Sequence, residues 1–373
     1  MVRSAYPAGA ATAVLPIRAD RAPAAAQAAA QAPATPATAA TPAHLTTPGA
    51  GARFATSGRR AAAALLTLAL FTEVAGPPAH SARADGALAV TEIAPDVFVV
   101  GGRPADPDPS NQGRTGNVAF VVGPAGVLVW NSGTSRRHGE AIAAAIRERT
   151  DRPIRTVVLA QAAQDLVFGA TALRDQGARI LMHRDAAATM RTRCGGCLAE
   201  LHRLLGDEAM ARTELPPVDE RLDGDRTLAV IGRDLRLLDL GSAAAPGSVA
   251  LYDPASGVLF SGGMVMVRQV VETRDADPAG WQRALERLSA LAPEIVVPDH
   301  GPVGTVGDIA ASGRYLAALE ARVGQLVRDG VSLADASARG QLPAFASWSR
   351  YEPVHGHNVH HAYLRLERSL FTQ

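Results

Sequence analysis

The sequence predicts an α/β domain, and three observations carry that prediction. Arg155 to Gly169, RTVVLAQAAQDLVFG, runs from an apolar strand through a polar turn toward a helix, and Val157, Val158 and Leu159 suit a strand inside a sheet covered on both faces. Strand and helix patterns alternate around it across short links, with a helix over 139–149, a helix over 167–176 stopped by Gly177, and a strand from Arg179 to Met182. Two further groups of strand-like runs flank this unit, at 87–131 and 227–261, separated by Gly- and Pro-containing turns. In open α/β sheets the chemistry sits just beyond the carboxyl ends of strands, so the turn at 160–166 is where a site is expected.

The chain has 373 residues and a net charge of +1. Ala5 to Gly51 is mostly Ala, Pro and Thr without a periodic apolar face, which reads as a disordered or extended segment over 1–52. Arg59 and Arg60 precede the apolar run Ala61 to Phe71, and Ala82-Arg83-Ala84 gives a small-x-small pattern before Asp85. These are the parts of a signal peptide over 53–84, and they predict a periplasmic or secreted mature chain. The run is shorter than the ~20 residues of a bilayer span, so no stable membrane span is expected. The paired arginines permit twin-arginine export. An export signal belongs at a true N-terminus, which puts the expected start of translation near residue 53. What remains, 85–305 with a helical extension over 306–373, has the length of one domain with a large core. A charge near zero without charge blocks argues against nucleic acid as a partner.

In order, strands are expected over 87–100, 117–122 and 126–131, the last ending in Asn131. The helix over 139–149 buries Ala141, Ile142, Ala145 and Ile146. Ala186 to Leu205 reads as a helix interrupted at Cys194-Gly195-Gly196-Cys197. These are the only two cysteines, and in an exported chain such a pair is a local disulfide, a redox site, half of a metal site, or two idle thiols. Strands follow at 227–231, 234–240, 248–252 and 257–261. Asp277 should cap a helix that starts at Pro278 and buries Trp281, Ala284, Leu285 and Leu288. Beyond Gly301 the pattern is helical: 306–328, a helix capped by Ser332, and a last one from about Asn358.

Four stretches then fall in a telling order. The turn after the central strand reads Ala160-Gln161-Ala162-Ala163-Gln164-Asp165-Leu166, followed by Gly169. Ala244-Ala245-Pro246-Gly247 precedes a strand, Leu259 to Gly263 reads LFSGG, and Val296 to Pro302 reads VVPDHGP. This order resembles the metallo-β-lactamase superfamily, whose first motif is Thr-His-x-His-x-Asp-His, whose second is His-Thr-Pro-Gly, whose third carries a metal-bridging aspartate and whose last ends in a histidine. By that resemblance the metal positions are Gln161, Ala163, Asp165, Leu166, Ala244, Gly263 and His300, and only Asp165 and His300 keep a residue able to bind metal. Asn131 stands where the family places a supporting aspartate. The tail, Asn358, Val359, Ala362, Tyr363, Leu366 and Glu367, resembles exported members associated with quinoprotein (PQQ) dehydrogenase relay and sulfur-oxidation systems.

The resemblance implies an αββα sandwich, two mixed sheets between helix layers. It implies a zinc hydrolase by descent, with zinc here only if the site is rearranged. Three functions follow as expectations. The first is a pseudoenzyme whose cleft binds a small molecule or a periplasmic protein. The second is a metal-dependent hydrolase using Asp165 and His300 with tail histidines, since His357 and His361 lie four apart and would share a helix face. The third is a redox-linked accessory protein using Cys194 and Cys197. As plain remnants, Asp165 would cap the helix after it and His300 would satisfy backbone groups. Ser242 and Ser248 offer a metal-free serine hydrolase no visible alignment with His300. Small residues at Ala163, Ala244 and Gly263 should leave the cleft wide, dry and suited to an apolar ligand, unless Gln161, Gln164 and Leu166 fill it.

Overall fold

A computed structural model describes residues 88–370. The Ala/Pro-rich segment and the signal peptide expected over 1–52 and 53–84 lie outside the described residues. Among the described residues no helix is long and apolar enough to cross a membrane.

One sheet has seven strands in chain order: β1 (Val90–Ala94), β2 (Val97–Val100), β3 (Val118–Gly123), β4 (Gly126–Trp130), β5 (Ile154–Leu159), β6 (Arg179–His183) and β7 (Glu220–Leu222). It is antiparallel up to β4 and parallel from β4 to β7. The switch follows from the connections, since β1 to β4 are joined by turns and one long loop without a helix, whereas β5 is reached through helix α1 (Arg136–Arg147) and β6 through α2 (Ala170–Arg174). The other sheet runs β12 (Ile295–Pro298), β11 (Val258–Gly262), β10 (Ser248–Asp253), β9 (Leu235–Gly241) and β8 (Arg226–Leu228), with only β11 and β12 parallel.

Side-chain alternation builds three apolar layers. On β3, Val118, Phe120 and Val122 face helices α1, α2 and α3 (Arg184–Leu205), while Ala119 and Val121 face the second sheet. On β10, Val249 and Leu251 face the first sheet and Ala250 faces the opposite helix layer. That layer is α4 (Pro278–Ala290), α5 (Val306–Arg328), α6 (Leu333–Arg339) and α7 (Tyr351–Leu370). The arrangement is the αββα sandwich expected from the sequence, with the helical segment beyond residue 305 on its second face.

Several elements differ from expectation, each for a physical reason. The run over 87–100 is a hairpin, because Asp96 adopts a left-handed φ of 63° and folds β2 back on β1. The helix expected over 167–176 shrinks to α2: Leu166, Val167 and Phe168 are consecutive and all fully buried, which suits turns better than a one-faced helix. Here α1 approaches so closely that a Cβ on Gly169 would meet the Ser132 carbonyl oxygen at 1.9 Å, and one on Gly139 the Gly169 oxygen at 2.1 Å. Helix α3 runs through the cysteine pair without interruption, because Cys194 packs inward while Gly195 and Gly196 face open space and leave no void. Asp277 stands at the N-cap of α4 without a side-chain cap bond. Helix α7 begins at Tyr351, well before Asn358, since Tyr351, Val354, His355 and Asn358 already form its buried stripe and Pro353 is tolerated in a first turn.

Candidate functional site

The turn after β5 and the loop after β12 meet at the same end of the sandwich, so Asp165 and His300 become neighbours although they belong to different sheets. His300 Nε2 lies 2.8 Å from Asp165 Oδ2, and the Thr115 hydroxyl donates to the same oxygen at 2.7 Å. The side chains are 21% and 9% exposed, respectively. Burial alone would push Asp165 up, but the His300 charge and the hydrogen bonds from His300 and Thr115 outweigh it and hold the carboxyl below its ordinary range. For His300 burial works downward, and the Asp165 charge, their hydrogen bond and Asp299 together raise it above the ordinary histidine value. Below the raised His300 value and above the lowered Asp165 value the pair is an imidazolium–carboxylate contact. The remnant roles expected for these residues are thereby corrected: α2 has no side-chain cap, and His300 is held by a carboxylate.

Beneath it lies a second carboxylate that sequence reasoning passed over. Asp299 is 1% exposed and accepts from Trp130 Nε1 at 3.2 Å, Asn131 Nδ2 at 2.8 Å and Gln161 Nε2 at 3.0 Å. Burial lifts its pKa above the ordinary value despite the opposing His300 charge and these hydrogen bonds. Asn131 also accepts from the Ala160 N–H at 3.1 Å, bracing the start of the turn. Asn117 fastens the His300 loop, donating to the Pro298 and Gly301 carbonyls at 2.7 and 2.8 Å and accepting from Gly102 N–H at 2.8 Å. Thr115, Asn117 and Asp299 had no motif to announce them, but VVPDHGP does show a charged residue at the end of an apolar strand, which is a signal for Asp299.

The other five positions assigned by resemblance do different things. Gln161 turns its amide to Asp299 and fills the space beside Gly263, where an added Cβ would meet it at 3.0 Å. Leu166 is fully buried in the core against Gly116, and a Cβ on Gly116 would meet its Cδ2 at 2.3 Å. Ala163 and Ala244 line a cavity of about 190 Å³ with Gln161, Glu272, Arg274 and Asp275. Asp165 and His300 open on another of about 260 Å³, with Arg103, Gln164, Glu272 and Arg350. The wide, dry cleft expected from small residues is therefore not formed: Gln161 and Leu166 fill it, and charged side chains line what is left.

Zinc does not fit these positions. A zinc centre takes three or four protein ligands, and here two donors remain whose facing atoms are bonded to each other. Among the described residues the group of three that comes together at ligand spacing, His183, Asp223 and Asp239, lies elsewhere. Its atoms are also committed: His183 accepts from Asp185 N–H through Nδ1 and meets Asp239 through Nε2, and Asp223 pairs with Arg184.

The tail histidines do not rebuild the site either. His355 is buried, stacks on Tyr351 at 4.4 Å and lies 3.0 Å from the Tyr315 hydroxyl and 3.2 Å from the Gly340 carbonyl. His357 and His361 do share α7, as their spacing required, but His357 is 67% exposed and faces Glu272 at 3.4 Å, with no third ligand among the described residues. Ser248 is spent on its own turn through Ala245. Cys194 and Cys197 are free thiols, the first buried and the second half-buried. The Cys194 thiol donates toward Cys197 and so pushes the Cys197 pKa down to about 7 while its own rises.

Comparison with known proteins places this geometry in context. The sequence profile described as "Metallo-beta-lactamase superfamily" matches residues 111–300. A search of curated proteins returned no match. Among solved structures, the inverting sec-alkylsulfatase Pisa1 from Pseudomonas sp. is similar with a TM-score of 0.57 and 15% identity, over 74% of this chain and 50% of that one, so this chain spans about half its length. The FIM-1 metallo-beta-lactamase from Pseudomonas aeruginosa, in a mono-zinc form, is similar with a TM-score of 0.50 and 19% identity, over 62% of this chain and 95% of that one. At such identities the likeness is one of fold.

Proposed function

Because the chain belongs to the metallo-beta-lactamase superfamily, we propose that it is an exported member with a degenerate metal site, a non-hydrolytic binding protein for a polar small molecule or a periplasmic partner. The observation that carries this reading is the mutual engagement of Asp165, His300 and Thr115, with Gln161 turned onto Asp299. The facing atoms of Asp165 and His300 are engaged with each other, and the Gln161 amide is engaged with Asp299. The cavity over this network is lined by Arg103, Asp106, Glu272 and Arg350, with Arg350 already paired to Asp106, a lining for a ligand carrying both charges. The tail signature motivates a place beside quinoprotein dehydrogenase or sulfur-oxidation systems.

Elemental analysis of the protein purified from a periplasm without chelator, paired with assays on lactam, ester and sulfate-ester substrates, tests the proposal. The expected result is metal far below one equivalent and no turnover. Stoichiometric zinc that disappears in Asp165→Ala and His300→Ala would overturn it.

A second reading has its own observation. Two free thiols stand one helical turn apart on α3, one of them acidified, which suits a redox-linked accessory role.

A further inference from the structure

In a cavity that neither Asp165 nor His300 lines, about 200 Å³ in volume, the N-terminal end of α1 meets Gln112, Arg114, Ser135, Arg137, His138 and Glu208. Two guanidinium groups, Arg114 and Arg137, stand here against the single carboxylate of Glu208. Neither guanidinium has a side-chain hydrogen bond or an ion pair among the described residues, and the Arg114 Nε atom is buried with no partner at all. Burial, then the charges of Arg137 and Arg103, depress the Arg114 pKa, as expected of cations gathered without a counter-ion. The first turn of α1, a helix of 12 residues, has no acidic side chain to complement its positive end.

His138 supplies an independent pointer. The residue is 3% exposed, and its Nδ1 accepts the Thr134 N–H at 3.2 Å. The ring proton must therefore sit on Nε2, at the other edge of the ring, and that atom is buried without a partner. Burial first, and Arg114 second, hold the imidazole neutral with a pKa down to about 3, so Nε2 remains a plain N–H donor. An unmatched buried donor destabilises the fold, so a group that accepts from it stabilises the protein as well as binding to it.

The geometry points to this cavity as a binding site for a tetrahedral oxyanion, a phosphate or sulfate group, held by Arg114, Arg137 and the Nε2–H of His138 at the positive end of α1. The chemistry is that of a planar guanidinium fork and a fixed N–H converging on a compact anion. The neighbouring Asp165 does not neutralise the site, because its carboxylate is committed to His300 and Thr115. Glu208, at the rim, opposes the anion and limits its affinity.

The test is calorimetry of the whole chain with inorganic phosphate and inorganic sulfate at constant ionic strength set by chloride, with the His138 imidazole followed by nitrogen-detected NMR. Saturable one-to-one binding that displaces the His138 Nε2–H resonance is expected. Arg137 is exposed, so Arg137→Ala keeps the fold, and it should weaken binding about tenfold or more. Glu208→Gln should tighten it. A simple phosphate monoester distinguishes the sources: tighter binding than inorganic phosphate identifies the terminal group of an ester, and weaker binding identifies the free ion. No saturable binding, or binding indifferent to Arg137→Ala with an unmoved His138 signal, would overturn the assignment.

Discussion

Asp165→Asn is the most informative single change. The asparagine is nearly isosteric, but it removes the charge that faces His300 and weakens the acceptor used by Thr115. Breaking one partner from a buried ion pair costs about 3–5 kcal/mol, and the 21% exposure of His300 moves the expectation to about 2–3 kcal/mol. The pH dependence follows from the two shifts. Asp165 is depressed below 3.8, so its contribution is present above that pH and is lost as pH falls through the lower folded value. His300 is raised above 6.5, so its contribution is complete below 6.5 and is lost as pH rises through the folded value. The pair is at full strength between those limits. Urea unfolding of wild type and variant should therefore show the largest difference near about pH 5.5 and a smaller one once the pH has passed the raised His300 value. In the variant, His300 should titrate lower than in the wild type, since its largest raising influence has gone. A wild-type His300 titrating at or below the ordinary value, or an equal stability difference at both pH values, would refute the reasoning.

Two further outcomes follow from the same geometry. Leu166→His, which supplies the histidine that the resemblance would place there, should create no metal site and should destabilise by roughly 2–4 kcal/mol, because it places an imidazole in a fully buried apolar position; metal uptake with unchanged stability in a melting experiment would contradict this. At neutral pH iodoacetamide should label Cys197 and spare the buried Cys194 until the chain unfolds, and mass spectrometry showing equal labelling of both would remove the ground for a redox role.

Much of the fold was legible because its signals are local. Helix α5 has the bounds read from the sequence, and Ser332 caps α6 through Asp335 N–H as its spacing suggests. The failures came where tertiary packing overrode local pattern, as in the three consecutive buried residues after Asp165 and in the glycines of α3. For the site, motif order brought Asp165 and His300 to attention. Their partners were invisible for a simple reason: Thr115 lies 50 residues from Asp165, and Asn131 lies 168 from Asp299. Such contacts carry no periodicity or spacing rule. The tail histidines illustrate the converse, since their helical spacing was read correctly but nothing in the sequence tells that His355 faces Tyr315 while His357 faces solvent.

The bond between Gln161 and Asp299 has a consequence for the history open to this chain. A substitution of Gln161 toward histidine would leave one oxygen of a buried carboxylate without its donor, and an aspartate at Gly263 would collide with the amide that now fills that space. Neither step gains a metal until the others are in place, and each alone is penalised by the arrangement already present. Sequence drift at the surface can proceed freely around such a centre, whereas a zinc centre at these positions would need several coordinated changes at once. The contact acts as a ratchet against single-step change at these positions.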